Sequence, residues 1–179
     1  GISLFLFLLI TAIGFAQKQI TIDDIWTNGV YRSKGVPGFR FMDDGKHYTQ
    51  LKQNYLVKYD LTTGNVTDTL INFNKLPFPD DRKQVEDYSF NDDESQLLLT
   101  TGGESIYRHS TKEWTYIYDP SSNKLISLDD EGKQMHATMS PDNKKVAYVR
   151  DNNLFVETIP GGKVRQLTKD GSPTIINGT

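Results

Sequence analysis

Along most of this chain, short runs rich in β-branched and aromatic residues alternate with clusters of Asp, Asn, Gly and Pro, the pattern of β-strands joined by tight turns. One stretch predicts four strands at 38–42, 47–52, 55–61 and 66–71, with turns at Asp43-Asp44-Gly45, Gln53-Asn54 and Thr62-Thr63-Gly64-Asn65. A second predicts four more at 135–139, 145–150, 154–159 and 163–168, with turns at Pro141-Asp142-Asn143, Asn152-Asn153 and Pro160-Gly161-Gly162. Connections this short make each set an antiparallel meander. Val146-Ala147-Tyr148-Val149 and Leu154-Phe155-Val156 are apolar at consecutive positions, so both faces of these strands should be covered, as in a sheet stacked between two others.

The meander repeats. An aromatic or apolar residue followed by a polar turn opens each copy: Phe41-Met42-Asp43-Asp44-Gly45-Lys46, Phe90-Asn91-Asp92-Asp93-Glu94-Ser95 and Met139-Ser140-Pro141-Asp142-Asn143-Lys144, each 49 residues after the last. A period in the forties is that of propeller blades. The fold expected is all-β, a partial β-propeller of about three four-stranded antiparallel blades, with blade one at 37–71, blade two at 85–129 and blade three at 134–169. Rings close with about four to eight blades, so this one is expected to be truncated at its C-terminal side.

Blade two is out of step. From the opening residue to the end of the third strand is 19 positions in blades one (Phe41 to Asp60) and three (Met139 to Thr158), but 29 in blade two (Phe90 to Asp119). The ten extra residues lie at about Gly102 to Lys112, are polar and Gly-led, and carry Glu104, Arg108 and His109. They read as an exposed loop. A linker, Asn72 to Gln84, contributes to the first 49-residue interval.

Charge and composition change the picture at the N-terminus. Residues 1–16 hold no charged side chain, and their apolar stretch from Ile2 to Phe15 falls short of the about 20 residues a membrane span needs. With Gly14 and Ala16 at the −3 and −1 positions, this is expected to be the core of a signal peptide cleaved after Ala16 and incomplete at its own N-terminus. The lead-in segment 17–36 comes next, and Trp26, Tyr31 and Phe39 are expected to pack it against blade one. The mature protein is therefore expected to be periplasmic or secreted, with no membrane association after cleavage; the lack of Cys excludes a lipoprotein anchor.

The remaining composition mainly excludes. A net charge of −3 and a pI near 5.6 give no basic surface for nucleic acid. With no Cys, and with His47, His109 and His136 scattered, no metal or cofactor site is expected. The pairs Asp43-Asp44, Asp92-Asp93 and Asp129-Asp130 lack calcium-loop spacing and read as turns. No G-x-S-x-G elbow is present, and His109 beside Ser110 makes no dyad, because neighbours on an extended segment point apart. No catalytic residue is expected in this stretch.

Tyr107-Arg108-His109-Ser110 followed by Trp114-Thr115-Tyr116-Ile117-Tyr118-Asp119 resembles the second-blade arm of the dipeptidyl-peptidase IV family of the prolyl oligopeptidase superfamily, where an Arg-His-Ser element precedes a Tyr-Asp-rich strand. Asn153-Leu154-Phe155-Val156, Gln166-Leu167-Thr168 and Ile175-Ile176-Asn177-Gly178-Thr179 also resemble that family's third blade and the approach to its next segment. The resemblance implies a serine exopeptidase that removes dipeptides from peptide N-termini, with an eight-bladed propeller, a C-terminal α/β-hydrolase domain and a homodimeric state. It implies that Arg108 binds a backbone carbonyl of the peptide substrate, with Glu104 and His109 as neighbours in the insertion. The acidic pair that holds the substrate amine in the family would lie just past Thr179, and Glu104 is not assigned that role. On the residues alone, Arg108 also fits a solvated loop paired with Glu104 or Glu113. A non-catalytic periplasmic propeller that binds a protein partner is the alternative function.

Overall fold

The computed structural model describes residues 19–33, 35, 37–107 and 110–178. The signal-peptide reading of 1–16 lies outside them. The chain divides into two compact units, Gly1–Val36 and Pro37–Thr179. In the first, a helix that the strand pattern did not predict, α1 (Ile22–Trp26), starts at a capping box. The Thr21 hydroxyl accepts from Asp24 N at 3.1 Å, and the Asp24 carboxylate accepts from Thr21 N at 3.4 Å. Trp26 and Tyr31, expected as packing residues, are 76% and 53% exposed.

The second unit is all-β, as expected: three four-stranded antiparallel sheets, each in sequential order. Blade one is β1 (Arg40–Phe41), β2 (His47–Lys52), β3 (Tyr55–Asp60) and β4 (Val66–Asn72). Blade two is β5 (Val85–Phe90), β6 (Leu97–Tyr107), β7 (Ser110–Asp119) and β8 (Lys124–Ser127). Blade three is β9 (Met135–Met139), β10 (Lys145–Arg150), β11 (Asn153–Thr158) and β12 (Val164–Gln166). The β10–β11 turn is Asp151-Asn152, one residue earlier than the sequence suggests. Both residues have positive φ, 49° and 60°, as a two-residue hairpin turn requires. β12 stops short of 168: Leu167 N still donates to Leu154 O at 2.8 Å, but Leu154 N is taken by the Thr168 hydroxyl at 2.9 Å rather than by a backbone carbonyl.

Blade two is buried on both faces, and its alternation shows how. Leu97, Leu99, Tyr116 and Tyr118 join Leu56 and Ile71 of blade one, whereas Leu98 and Ile117 join Val146, Tyr148, Phe155 and Ile159 of blade three. The segment 72–84 is more than a linker. Its two 3-10 turns, Phe73–Lys75 and Asp80–Arg82, drive Phe73, Leu76 and Phe78 into the first of these clusters, and Phe78 meets Tyr116 edge-on at 5.0 Å.

Polar contacts stitch neighbouring blades together. Both Asp87 oxygens accept from Arg40 at 3.0 Å, and the Thr49 and Tyr88 hydroxyls share a buried hydrogen bond of 2.8 Å. The repeated turns also link across: Asp43 N donates to Glu94 at 2.8 Å, and the Asn143 amide donates to Asp93 at 3.0 Å. Asp44, Asp93 and Asp142 accept hydrogen bonds within their own turns, and this holds each carboxyl below its usual range. The chief donors are Lys46 N for Asp44 and the Ser95 and Ser140 hydroxyls for Asp93 and Asp142, with turn N–H groups adding to each. Asp129, expected only as a turn former, is buried and accepts from Tyr148 OH at 2.6 Å and from Arg150, so it ties blade two to blade three.

Candidate functional site

The interruption in blade two is a ribbon rather than a loop. β6 runs 11 residues, against 6 for β2 and β10, and pairs with β7 past the edge of the blade through Glu104↔Lys112, Ser105↔Thr111 and Tyr107↔Ser110. The Gly-led insertion reads as a loop in the sequence, but the ladder continues past Gly102-Gly103 by a bulge. Thr101 faces Trp114 while Glu104 faces Lys112, so β6 holds one extra residue at Gly102-Gly103. Gly102 has φ +61°, where a side chain would be strained. Arg108 and His109, the proposed substrate residue and its neighbour, lie outside the described residues, between the paired Tyr107 and Ser110.

Glu104 stands where the sequence put it, on this arm, but its carboxylate is committed. Oε1 meets Lys112 Nζ at 2.9 Å and Oε2 meets Lys133 Nζ at 3.3 Å, and hydrogen bonds from both amines hold the carboxyl below its usual range. Glu113, at the arm's foot, is half-buried. Burial pushes its carboxyl up, partly opposed by a hydrogen bond from Thr100. On the other side of the foot the Arg82 guanidinium lies 3.6 Å above the Trp114 ring, a cation–π contact.

A cavity of about 270 Å³ opens at the foot, between β5, β6, β7 and β9. Asp87, Thr100, Thr111, Glu113, Thr115 and His136 give it a polar wall. His136, at φ +54°, sits on a second bulge, because Val149 pairs with Met135 but Ala147 with Thr138. Sequence reasoning counted His136 only among scattered histidines. An extra residue in a strand leaves no mark in the apolar pattern, so nothing there marked it. Among the described residues no group of three or more His, Asp and Glu side chains is placed to hold a metal ion.

Comparison with known proteins meets this geometry at the same place. Residues 91–179, from the blade-two turn onward, match the family described as the dipeptidyl peptidase IV N-terminal region. The chain belongs to the dipeptidyl peptidase IV family. It is 32% identical over 149 residues to dipeptidyl peptidase 4 of Trichophyton rubrum, covering 82% of this chain and 18% of that protein. It is 33% identical over 138 residues to the probable dipeptidyl peptidase 4 of Aspergillus fumigatus, covering 76% and 17%. The crystal structure of Porphyromonas gingivalis dipeptidyl peptidase 4 superposes with a TM-score of 0.73 at 34% identity, covering 87% of this chain and 22% of that one. The chain thus spans about a fifth of the length of the relatives it matches.

Proposed function

We propose that this chain is the substrate-gating and substrate-binding propeller region of a serine exopeptidase, periplasmic or secreted, that removes dipeptides from peptide N-termini. The observation that carries the reading is the place where the repeat is broken. Blades repeat because each must pack on the next, and a polar ribbon running beyond the blade edge adds nothing to that packing. A conformationally defined projection of this kind, on a rigid scaffold, is the sort of element that carries binding residues. The names of the relatives support the peptidase class.

In this reading Arg108 recognises the peptide backbone. A guanidinium stays charged and presents several donors in fixed directions, which suits one or two carbonyl oxygens of an extended peptide better than the flexible ammonium of Lys. Glu104 does not bind the substrate amine, because both its oxygens are held by lysines. That task falls to the acidic pair which the family resemblance puts beyond Thr179. Bond cleavage falls to the α/β-hydrolase domain of the same protein, and the resemblance supports a homodimer. The ring would restrict access to slender peptides.

The test is steady-state kinetics of the full-length protein on a dipeptide-linked chromogenic substrate. Arg108→Ala should lower kcat/KM by about 10- to 150-fold, the equivalent of about 1.5–3 kcal/mol for hydrogen bonds from a charged group. The melting temperature should hold. Arg108→Lys should recover part of the loss. Wild-type kcat/KM for Arg108→Ala would defeat the assignment.

A further inference from the structure

The arm's foot is held from outside the arm. The first hold is Glu86. In β5, Val85 pairs with Thr101 but Asp87 with Thr100, so Glu86 is an extra residue in its strand, facing Thr100-Thr101 just before the Gly102-Gly103 bulge of β6. Bulges re-aim side chains. Here the Glu86 carboxylate accepts from Gly103 N at 2.9 Å, and it fills the space a side chain at 103 would need: a Cβ there would stand 2.5 Å from Oε2.

The second hold comes from the connection between blades two and three. β8 pairs with β7 only over Tyr116–Asp119, which leaves the free edge of Glu113 to Thr115 without a strand. Gln134 and its neighbourhood take that place. Glu113 and Gln134 exchange backbone hydrogen bonds of 2.9 and 2.8 Å, the Gln134 side-chain oxygen accepts from Thr115 N at 2.9 Å, and Leu128 N donates to Thr115 O at 2.9 Å. Gln134 is fully buried, and its amide nitrogen donates to the carbonyls of Asp129, at 2.8 Å, and Gly132. A buried amide with every group matched is worth its desolvation only where it fixes a geometry. The chain neighbour of Gln134 is Lys133, whose ammonium reaches Glu104 just beyond the bulge.

We infer that Glu86, Gln134 and Lys133 are positioning residues that set the direction of the arm, and so the place of Arg108, by clamping both edges of its foot. The inference rests on the reading that Arg108 binds substrate. Through Lys133 and Gln134 the arm answers to the junction with blade three as well as to its own blade. A shift at that junction moves the arm, so the geometry of substrate binding is coupled to the packing of neighbouring blades.

Two readouts on the full-length protein test this: steady-state kinetics, and the rate at which trypsin cuts after Arg108, followed by mass. Gln134→Leu would strip several buried hydrogen bonds and endanger the fold, so Glu86 and Lys133 carry the experiment. Glu86→Ala and Lys133→Met should each lower kcat/KM by about two- to fivefold, the scale of exposed ion pairs, chiefly through KM, and speed tryptic cleavage to a similar degree. Glu86→Gln keeps an acceptor for Gly103 N and should stay near wild type. Lys133→Glu should be worse than Lys133→Met, and adding Glu104→Lys should restore part of the loss, which only a direct contact explains. If Arg108→Ala is impaired while Glu86→Ala and Lys133→Met match wild type in both readouts, the positioning role falls. If those variants speed cleavage but Arg108→Ala keeps full activity, the clamp stands and the substrate role of Arg108 falls.

Discussion

Blades one and three close their central hairpins in two residues; blade two, built from the same repeat, sends the equivalent hairpin out as an arm. In blade one Lys52 pairs with Tyr55 across Gln53-Asn54, and in blade three Arg150 pairs with Asn153 across Asp151-Asn152. In blade two the ladder runs on to Tyr107↔Ser110. The contrast separates two kinds of constraint. Where hairpins are short, side chains answer to packing: Leu56, Val146 and Tyr148 are almost wholly buried. Along the arm they answer to something else. Glu104, Ser105 and Ile106 are exposed, and the order comes from backbone pairing and charge at the foot rather than from apolar burial.

That contrast predicts opposite signatures for substitutions in the two regions. The largest effect belongs to the ring. Phe73 is 2% exposed at the junction of blades one and two, and Phe73→Ala should destabilise the propeller by about 3–5 kcal/mol, the lost transfer energy plus a cavity. Denaturant unfolding of the full-length protein measures it. Any change in KM should be small beside that loss. Arg108→Ala should do the reverse, lowering kcat/KM with the melting temperature held. If Arg108→Ala lost as much stability as Phe73→Ala, the arm would be part of the packed ring, and the comparison would fail.

Next comes a pH effect that belongs to the blade two–three junction. Glu157 of β11 is 4% exposed, one of its oxygens has no hydrogen-bond partner among the described residues, and burial, with Asp129 and Asp130 nearby, pushes its carboxyl up to about 7. A raised pKa in the folded state means that the folded protein holds this proton after the unfolded chain has released it. Glu157 therefore favours the fold at acidic pH, with its contribution lost as pH rises from about 4.5 through about 7. Glu157→Gln should flatten that slope and raise stability at pH 8 by about 3 kcal/mol. An unchanged slope in melts from pH 4.5 to 8 would show that Glu157 is not buried as its neutral acid.

How much of this the sequence carries depends on what held each element. The three meanders were legible because Asp-rich turns and β-rich runs act locally, and the extra length in blade two appeared as soon as the copies were aligned. The form of the arm was not legible. The Gly-led insertion reads as a loop, whereas the β6–β7 ladder resumes beyond Gly102-Gly103, and Gly103 N is held by Glu86 from a strand more than ten residues earlier. Phe73, Leu76 and Phe78 read as parts of a linker because their spacing of three and then two follows no single period: Phe73 lies in a 3-10 turn, and Leu76 and Phe78 in the irregular stretch between two such turns. Gln134 and His136 were invisible for the same kind of reason. One replaces a missing strand residue with its side chain, and the other owes its direction to a bulge, so neither leaves a periodic trace.

The smallest effect separates the two regions most finely. Gly103 has no need of a positive φ, so an alanine there strains no backbone; what it meets is the Glu86 carboxylate at 2.5 Å, the far end of a flexible side chain. Gly103→Ala should therefore push Glu86 off Gly103 N at a stability cost of less than about 1 kcal/mol, since an exposed contact is lost and no core is opened. At Gly162 the same substitution meets backbone. Its Cβ would stand within van der Waals overlap of the Thr158 carbonyl in the hairpin of blade three, where nothing flexible yields. Gly162→Ala should cost more stability than Gly103→Ala and leave KM alone, whereas Gly103→Ala should raise KM and hasten tryptic cleavage after Arg108 at nearly constant melting temperature. Equal melting temperatures for the two variants would mean that the blade hairpins tolerate what the arm tolerates, and that the division between packed ring and clamped arm is drawn in the wrong place.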